Sequence, residues 1–444
     1  MRVLVLVDGE HYPSVTRWGI QAARTMGHEV LAALFVGGIE KIDPHAPPEL
    51  GVPVLTVGSD AGRALASALD EVEPEAVLDL ADEPVLGYRE RMELVAVALL
   101  RGVPYLGSDF RLDPPISGPA LPVPTVAVIG TGKRTGKTAI GGELARVADR
   151  AGLGPIVVAM GRGGPPAPQV ADAGTVTVRS LLELVRQGEH GASDYLEDAL
   201  TAGVTTIGAR RCGGGLAGAP FVSNVRPAAE LAVRRGAGLV ILEGSGSSIP
   251  PVPWDAGVLV VPASAPPEYL GGYLGPFRLL LSDLVVFTMA GSPNAGPENL
   301  SALRSHVQRL RGDVRLFVTD FEPVPLGDVR GKDVFFATTA PGAIAERQVA
   351  SLESVYSCRV VGWSARLADR AGLAEDMDGA AGYETLLTEL KAAAVDVACD
   401  RALANGAEVV FVDNRAVVVE GDTDLPTALK ETIDIAMERS KGRS

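Results

Sequence analysis

Cysteine is scarce: the chain of 444 residues has 3, and Cys212, Cys358 and Cys399 are widely spaced and odd in number. That excludes a disulfide framework and the close pairs of a zinc site, and it suits a reducing cytosol. Histidine is nearly as rare, at 5 residues, too few to suggest a Cys/His metal cluster. Positive charge is also short. The net charge of -15 argues against a nucleic-acid surface, although a few local cations can still hold a small anionic substrate. No stretch approaches the roughly 18 uninterrupted apolar residues of a membrane span. The opening run Val3–Val7 is broken by Asp8, too short and too early for a signal peptide. The expectation is a cytoplasmic protein that binds neither nucleic acid nor membrane.

The chain is 47% hydrophobic and 21% charged, a composition that builds ordinary cores, and its length suits two or three domains. Its 52 glycines and 32 prolines suit many strand-to-helix junctions. Val3–Val7, Val30–Val36, Val54–Val57, Ala76–Leu80 and Val103–Leu106 read as short buried strands. Helical stretches lie between them, such as Ser14–Met26 before Gly27 and Arg89–Arg101 before Gly102, where glycine serves as a C-cap. Alternation of this kind predicts a parallel sheet covered on both faces.

Asp113–Pro124 carries five prolines and little periodicity, which marks a boundary. Strands are then expected at Thr125–Ile129, Ile156–Met160, Leu239–Leu242, Gly257–Val261, Leu284–Thr288 and Val314–Thr319. Val334–Ala337, Arg359–Val361, Val409–Val412 and Ala416–Val419 follow, and either finish the second sheet or form a third unit. The predicted fold class is therefore α/β. A Rossmann-like parallel-sheet domain at 1–118 precedes a nucleotide-binding core at 119–320, and 321–444 form a C-terminal α/β extension, separate or continuous with the core.

The core is named by its loop. Val126–Ile129 is followed by Gly130-Thr131-Gly132-Lys133-Arg134-Thr135-Gly136-Lys137-Thr138 and then by a helical run, Ala139–Ala151. A strand, a glycine-rich loop and a helix start in that order aim backbone N–H groups and the helix dipole at one spot, which stabilises phosphate. The pattern is that of a P-loop NTPase. Lys137 would reach the β- and γ-phosphates, and Thr138 would offer its hydroxyl to Mg²⁺. Lys133 and Arg134 either are solvated loop charges, or hold a second anionic group or stabilise charge on the transferring phosphoryl group. Thr131 stands where the common P-loop pattern has glycine, with Gly130 one place earlier. This longer form resembles the loop of dethiobiotin synthetase.

Leu239–Leu242 ends in Glu243-Gly244-Ser-Gly246, which presents a carboxylate as the second Mg²⁺ ligand and small residues for close approach of phosphate. The Glu-Gly-x-Gly turn again resembles dethiobiotin synthetase. Met160-Gly-Arg162-Gly-Gly164 and Gly208-Ala-Arg210-Arg211-Cys212-Gly-Gly-Gly215 are basic, glycine-rich turns, either surface loops or clamps for an anion. Cys212 has no histidine near it in sequence and is not needed for phosphoryl transfer. After the first strand, Asp8, Glu10, His11 and Arg17 form a candidate substrate edge, because open parallel sheets bind ligands beyond their strands' carboxyl ends. Ser59-Asp60, Asp82-Glu83 and Ser108-Asp109 are further strand ends, where some acids serve as N-caps.

The run Val7-Asp-Gly-Glu-His-Tyr-Pro13, the loop Thr131–Thr138, Met160–Pro165 and Arg210-Arg-Cys-Gly-Gly-Gly215 together resemble cyclic 2,3-diphosphoglycerate synthetase. The likeness covers most of the chain and is least distinctive in the last third. It implies a ligase that uses ATP and Mg²⁺, with K⁺ as a further candidate, to close 2,3-diphosphoglycerate into a cyclic phosphoanhydride. It also implies a cytoplasmic homodimer or other homo-oligomer. The rivals are a dethiobiotin-synthetase-like ligase acting on another carboxylate and a P-loop GTPase regulator. The regulator needs a guanine-reading Asn-Lys-x-Asp, but Leu284–Thr288 is followed by Met-Ala-Gly-Ser-Pro.

Overall fold

The computed structural model describes residues 1–42, 48–56, 60–380 and 382–443. Val57 of the third expected strand, and Ser59, lie outside the described residues.

Residues 2–112 form a six-stranded sheet in the order Val54–Thr56, Glu29–Phe35, Arg2–Val7, Ala76–Asp79, Tyr105–Leu106, Arg111–Leu112. All neighbours are parallel except the last pair. Leu4 and Leu6 enter the core on one face and Val3, Val5 and Val7 the core on the other, as the pleat of a doubly covered strand requires. Gly27 and Gly102 take φ of 88° and 72° just past the helices Pro13–Thr25 and Tyr88–Leu100, the left-handed stops that glycine supplies.

A second sheet of 13 strands holds the phosphate loop. Its central strand, Thr125–Gly130, is buried throughout and lies between Leu239–Glu243 and Ala256–Pro262, parallel to both. Beyond Leu239–Glu243 come Pro155–Gly161 and Thr206–Cys212, and beyond Ala256–Pro262 come Leu284–Thr288 and Arg315–Pro325. Arg315–Pro325 pairs antiparallel with one long strand, Glu408–Glu420, so the same sheet passes into the last third of the chain. The expected pair Val409–Val412 and Ala416–Val419 is that single strand. The closing helix Leu425–Lys441 packs Leu429, Ile433 and Ala436 against Val126, Ile140 and Leu144, beside the loop's own helix.

Several strands differ from expectation, the short Arg111–Leu112, Gln169–Ala171 and Val222–Ser223 among them. Thr385–Thr388 was not anticipated, and the basic turn at Gly208–Gly215 is a strand as far as Cys212. Gly208 and Ala209 look like turn chemistry, but Gly208 is small because the Tyr195 ring lies over it, 2.7 Å from where a Cβ would be.

Candidate active site

Gly136 begins the site with φ of 90°, in the left-handed region, and the Phe321 ring lies 2.6 Å from its would-be Cβ. Either constraint alone demands glycine there. The helix Lys137–Arg150 then starts, leaving its first N–H groups directed at the loop. Thr288 Oγ1 donates to Thr135 O at 2.7 Å, tying the loop to the neighbouring strand. Arg134 takes a φ of 58°, a conformation rare for a residue with a side chain, and together with Lys133 it is exposed. Thr131, Gly132 and Thr138 are half-buried at the rim, while Gly130 and Thr135 are buried below.

Lys137 is the buried cation of the loop. Its Nζ donates to Gly132 O at 2.8 Å, Thr135 Oγ1 at 3.2 Å and Gly246 O at 3.0 Å. Burial draws its pKa down to about 8, against the opposing pull of Glu243 and Asp194. Phosphate oxygens offered at this place would be charged acceptors where the lysine now has neutral ones.

Glu243 ends the adjacent strand and is buried, with no hydrogen-bond partner for Oε1 among the described residues. The space it occupies comes from Gly141 in the loop's helix, since a Cβ there would overlap Glu243 Oε1. Glycine inside a helix costs about 1 kcal/mol relative to alanine, so the position is held for the carboxyl group. Burial pushes Glu243 up to about 8, and Asp194 adds to the effect. Among the described residues no three His, Cys, Asp or Glu side chains are gathered as a metal cage. An orphaned carboxylate oxygen against the helix that Thr138 helps to start fits a cation that shares its ligands with substrate phosphates and keeps several waters, which is the habit of Mg²⁺.

The basic segments converge on the turn that follows Glu243. The Cβ position of Gly246 is 3.4 Å from Arg211 Nη2 and 3.6 Å from Arg162 Nη2, so both guanidinium groups face the turn held by Lys137. Arg211 Nη2 donates to Ser245 O at 2.9 Å. Arg210 is more committed, with Nε on Gly164 O at 2.8 Å, where it braces the Arg162 loop. Three of the expected basic groups, Lys137, Arg162 and Arg211, thus meet at one place.

The Asp8 edge is not part of that gathering. Asp8 is buried, and its carboxylate accepts from Glu10 N–H, His11 N–H, Asp82 N–H and His11 Nδ1 at 2.5–3.2 Å. It stitches the switch point between Arg2–Val7 and Ala76–Asp79. Glu10 lies against Glu40, which raises its pKa, and Arg17 reaches Glu49 O at 2.6 Å. Asp60 is the N-cap of the helix Ala61–Val72.

Sequence reasoning missed the acids beneath the loop. Asp194, Glu197 and Asp198 lie on the helix Asp194–Thr201, and Lys391 pairs with Glu197 at 3.1 Å. Asp194 and Glu197 in a first turn read as helix-start chemistry and Asp198 follows directly, so nothing in the sequence set these apart. Burial pushes Glu197 up to about 7 and Asp198, with neither oxygen hydrogen-bonded among the described residues, well above the carboxylate range. The folded protein therefore holds protons that the unfolded chain releases near pH 4 to 4.5. The stability these acids contribute should fall as pH rises from there through about 7 and 8. Asp198→Asn should flatten that slope and raise the melting temperature at pH 8.5. Thermal unfolding curves that stay parallel to the parent's across pH would refute it.

Family models and curated relatives agree on one family along the chain. Residues 2–113, 125–319 and 325–415 match the N-terminal, P-loop and C-terminal domains of cyclic 2,3-diphosphoglycerate synthetase. The protein of that name from Rubrobacter xylanophilus is 48% identical over 94% of both chains. That from Methanothermobacter thermautotrophicus is 41% identical over 99% of this chain and 96% of its own. That from Thermococcus kodakarensis is 42% identical over 95% of this chain and 96% of its own. With three domain matches and identities of this size along almost the whole length, the chain belongs to the cyclic 2,3-diphosphoglycerate synthetase family.

Proposed function

We propose that the chain is an ATP- and Mg²⁺-dependent ligase that closes 2,3-diphosphoglycerate into its cyclic phosphoanhydride, releasing ADP and phosphate. The observation that carries the reading is the meeting of Lys137, Arg162 and Arg211 on the turn after Glu243, beside a phosphate loop. Two anion-binding groups side by side suit a reaction in which a triphosphate and a bisphosphate react with each other.

The amides of Gly130–Thr138 and Lys137 hold the β- and γ-phosphates of ATP, with Lys133 and Arg134 at the exposed rim. Thr138 and Glu243 would hold Mg²⁺, which neutralises phosphate charge when bound. Arg162 and Arg211, with Arg210 bracing the loop of Arg162, hold 2,3-diphosphoglycerate. One substrate phosphate oxygen attacks the γ-phosphorus, and the bond to ADP breaks. An oxygen of the neighbouring phosphate then attacks the phosphorus still joined to the glycerate, forming the ring anhydride and expelling inorganic phosphate. No general base is needed, because both attacking oxygens are already anionic. Holding the two groups on one molecule supplies much of the acceleration. Asp8, Glu10, His11 and Arg17 have a structural part in this scheme, and the protein works in the cytoplasm, apart from membranes and nucleic acid.

Phosphorus NMR of the protein with Mg-ATP and 2,3-diphosphoglycerate should show a cyclic anhydride resonance growing with ADP and phosphate. ADP release indifferent to 2,3-diphosphoglycerate would overturn the assignment. Arg162→Ala and Arg211→Ala should each raise KM for 2,3-diphosphoglycerate about tenfold to a hundredfold, the equivalent of one charge-assisted hydrogen bond of roughly 1.5–3 kcal/mol. KM for ATP should stay within about twofold, and initial rates against each substrate separate the two constants.

A further inference from the structure

Three cations from three segments donate to three successive carbonyls of the turn after Glu243. Arg211 takes Ser245 O and Lys137 takes Gly246 O, while Arg278 Nη2 takes Ser247 O at 2.6 Å. The first two belong to the site already described. Arg278 does not, and its surroundings are unusual. It lies on the short helix Gly275–Leu280, is 5% exposed, and among the described residues is bonded only to backbone carbonyls. Besides Ser247 these are Leu274 O at 2.8 Å and Leu216 O at 3.4 Å, and Nε has no partner among the described residues. Burial is what draws its pKa down to about 10, with no carboxylate to offset it, so the group stays charged at neutral pH.

A guanidinium removed from water without a counter-ion is unfavourable, and an apolar or neutral side chain would serve a purely structural role better. What Arg278 joins gives the charge a use. One bond fixes the Ser245–Ser248 turn, and another fixes the loop that leaves Arg211, through Leu216. The same stretch of chain is the seat of the first sheet. Leu274 and Phe277 share a core with Leu94, Leu99, Ala217 and Ile249, and Tyr273 N–H donates to Tyr88 Oη at 2.6 Å. Arg278 therefore stands between the N-terminal unit and two segments of the site, the Ser245–Ser248 turn that Arg162 and Arg211 face and the loop that follows Arg211.

We propose that Arg278 is a positioning residue for the anionic substrate: it holds the Ser245–Ser248 turn and the Leu216 loop so that Arg162 and Arg211 converge on one phosphate, and its uncompensated charge strengthens the positive potential there. The N-terminal unit then supports catalysis by seating the helix that carries this residue. The inference rests on the reading of the site as the place where 2,3-diphosphoglycerate binds.

Arg278→Gln removes the charge and keeps hydrogen-bonding capacity, and Arg278→Lys keeps the charge. The glutamine variant should raise KM for 2,3-diphosphoglycerate at least tenfold, with kcat within threefold and KM for ATP within twofold of the parent. Its melting temperature should equal or exceed the parent's, because a desolvated charge is gone. The lysine variant should bring KM back to within about threefold. A glutamine variant with the parent's KM would overturn the proposal. So would one that fails to fold, or that loses stability, kcat and both KM values together, since these mark a structural role. If the parent itself gives no cyclic product by phosphorus NMR, it is the reading of the site that fails instead.

Discussion

Lys137→Ala should lower turnover by about three orders of magnitude while leaving the protein folded. The size follows from what the ammonium is placed to do. A preorganised donor aimed at developing charge in a water-poor site contributes about 10²–10³ in rate, and this one also neutralises the phosphate tail during binding. The structure makes the second half of the prediction equally specific. Lys137 is buried among neutral acceptors, and burial already draws its pKa down to about 8. Removing a partly desolvated charge of that kind leaves Gly132 O and Gly246 O to other donors or water, a modest loss. Near-parent melting temperature and circular dichroism, with ADP release and cyclic product both lost, is the expected pattern. Turnover within tenfold of the parent would remove this lysine from the phosphoryl transfer.

Much of this site could be read from the sequence because its parts are contiguous. Gly130–Thr138 carries its chemistry in nine adjacent residues, and the strand before it and helix after it follow from apolar runs. Glu243 was legible for a similar reason, as an acid at the end of a buried strand. The segments 160–165 and 208–215 stood out by composition, yet that composition concealed a strand whose small residues accommodate Tyr195. Arg278 and Asp198 gave no signal at all. An arginine in a short helix and an aspartate just past a helix's first turn are ordinary until tertiary packing buries them. The Asp8 edge shows the converse. An acid at a topological switch point invites a ligand reading, whereas four donors from the protein itself already engage that carboxylate.

Glu243→Gln and Gly141→Ala should produce the same defect from opposite sides of one contact. The glutamine keeps the shape and loses the charge that a divalent cation needs, so kcat should fall by about two to three orders of magnitude. That corresponds to the several kcal/mol that a metal ion supplies to a phosphoryl transition state. Stability at pH 8 should hold or rise, because Glu243 is buried with an unpartnered oxygen and is half ionised near that pH. Alanine at position 141 adds about 1 kcal/mol of helix propensity, yet its Cβ overlaps Glu243 Oε1 and must push the carboxylate aside. A helix that becomes intrinsically better while the enzyme becomes worse is difficult to explain unless the carboxylate has a job at that position. The two changes should also be non-additive, the double variant being no slower than the slower single one, since both remove one interaction. Raising Mg²⁺ separates them: the displaced carboxylate of Gly141→Ala still carries charge and should recover part of its activity in a Mg²⁺ titration, whereas Glu243→Gln should not. Full activity of Gly141→Ala at low Mg²⁺ would mean that the cation is held elsewhere.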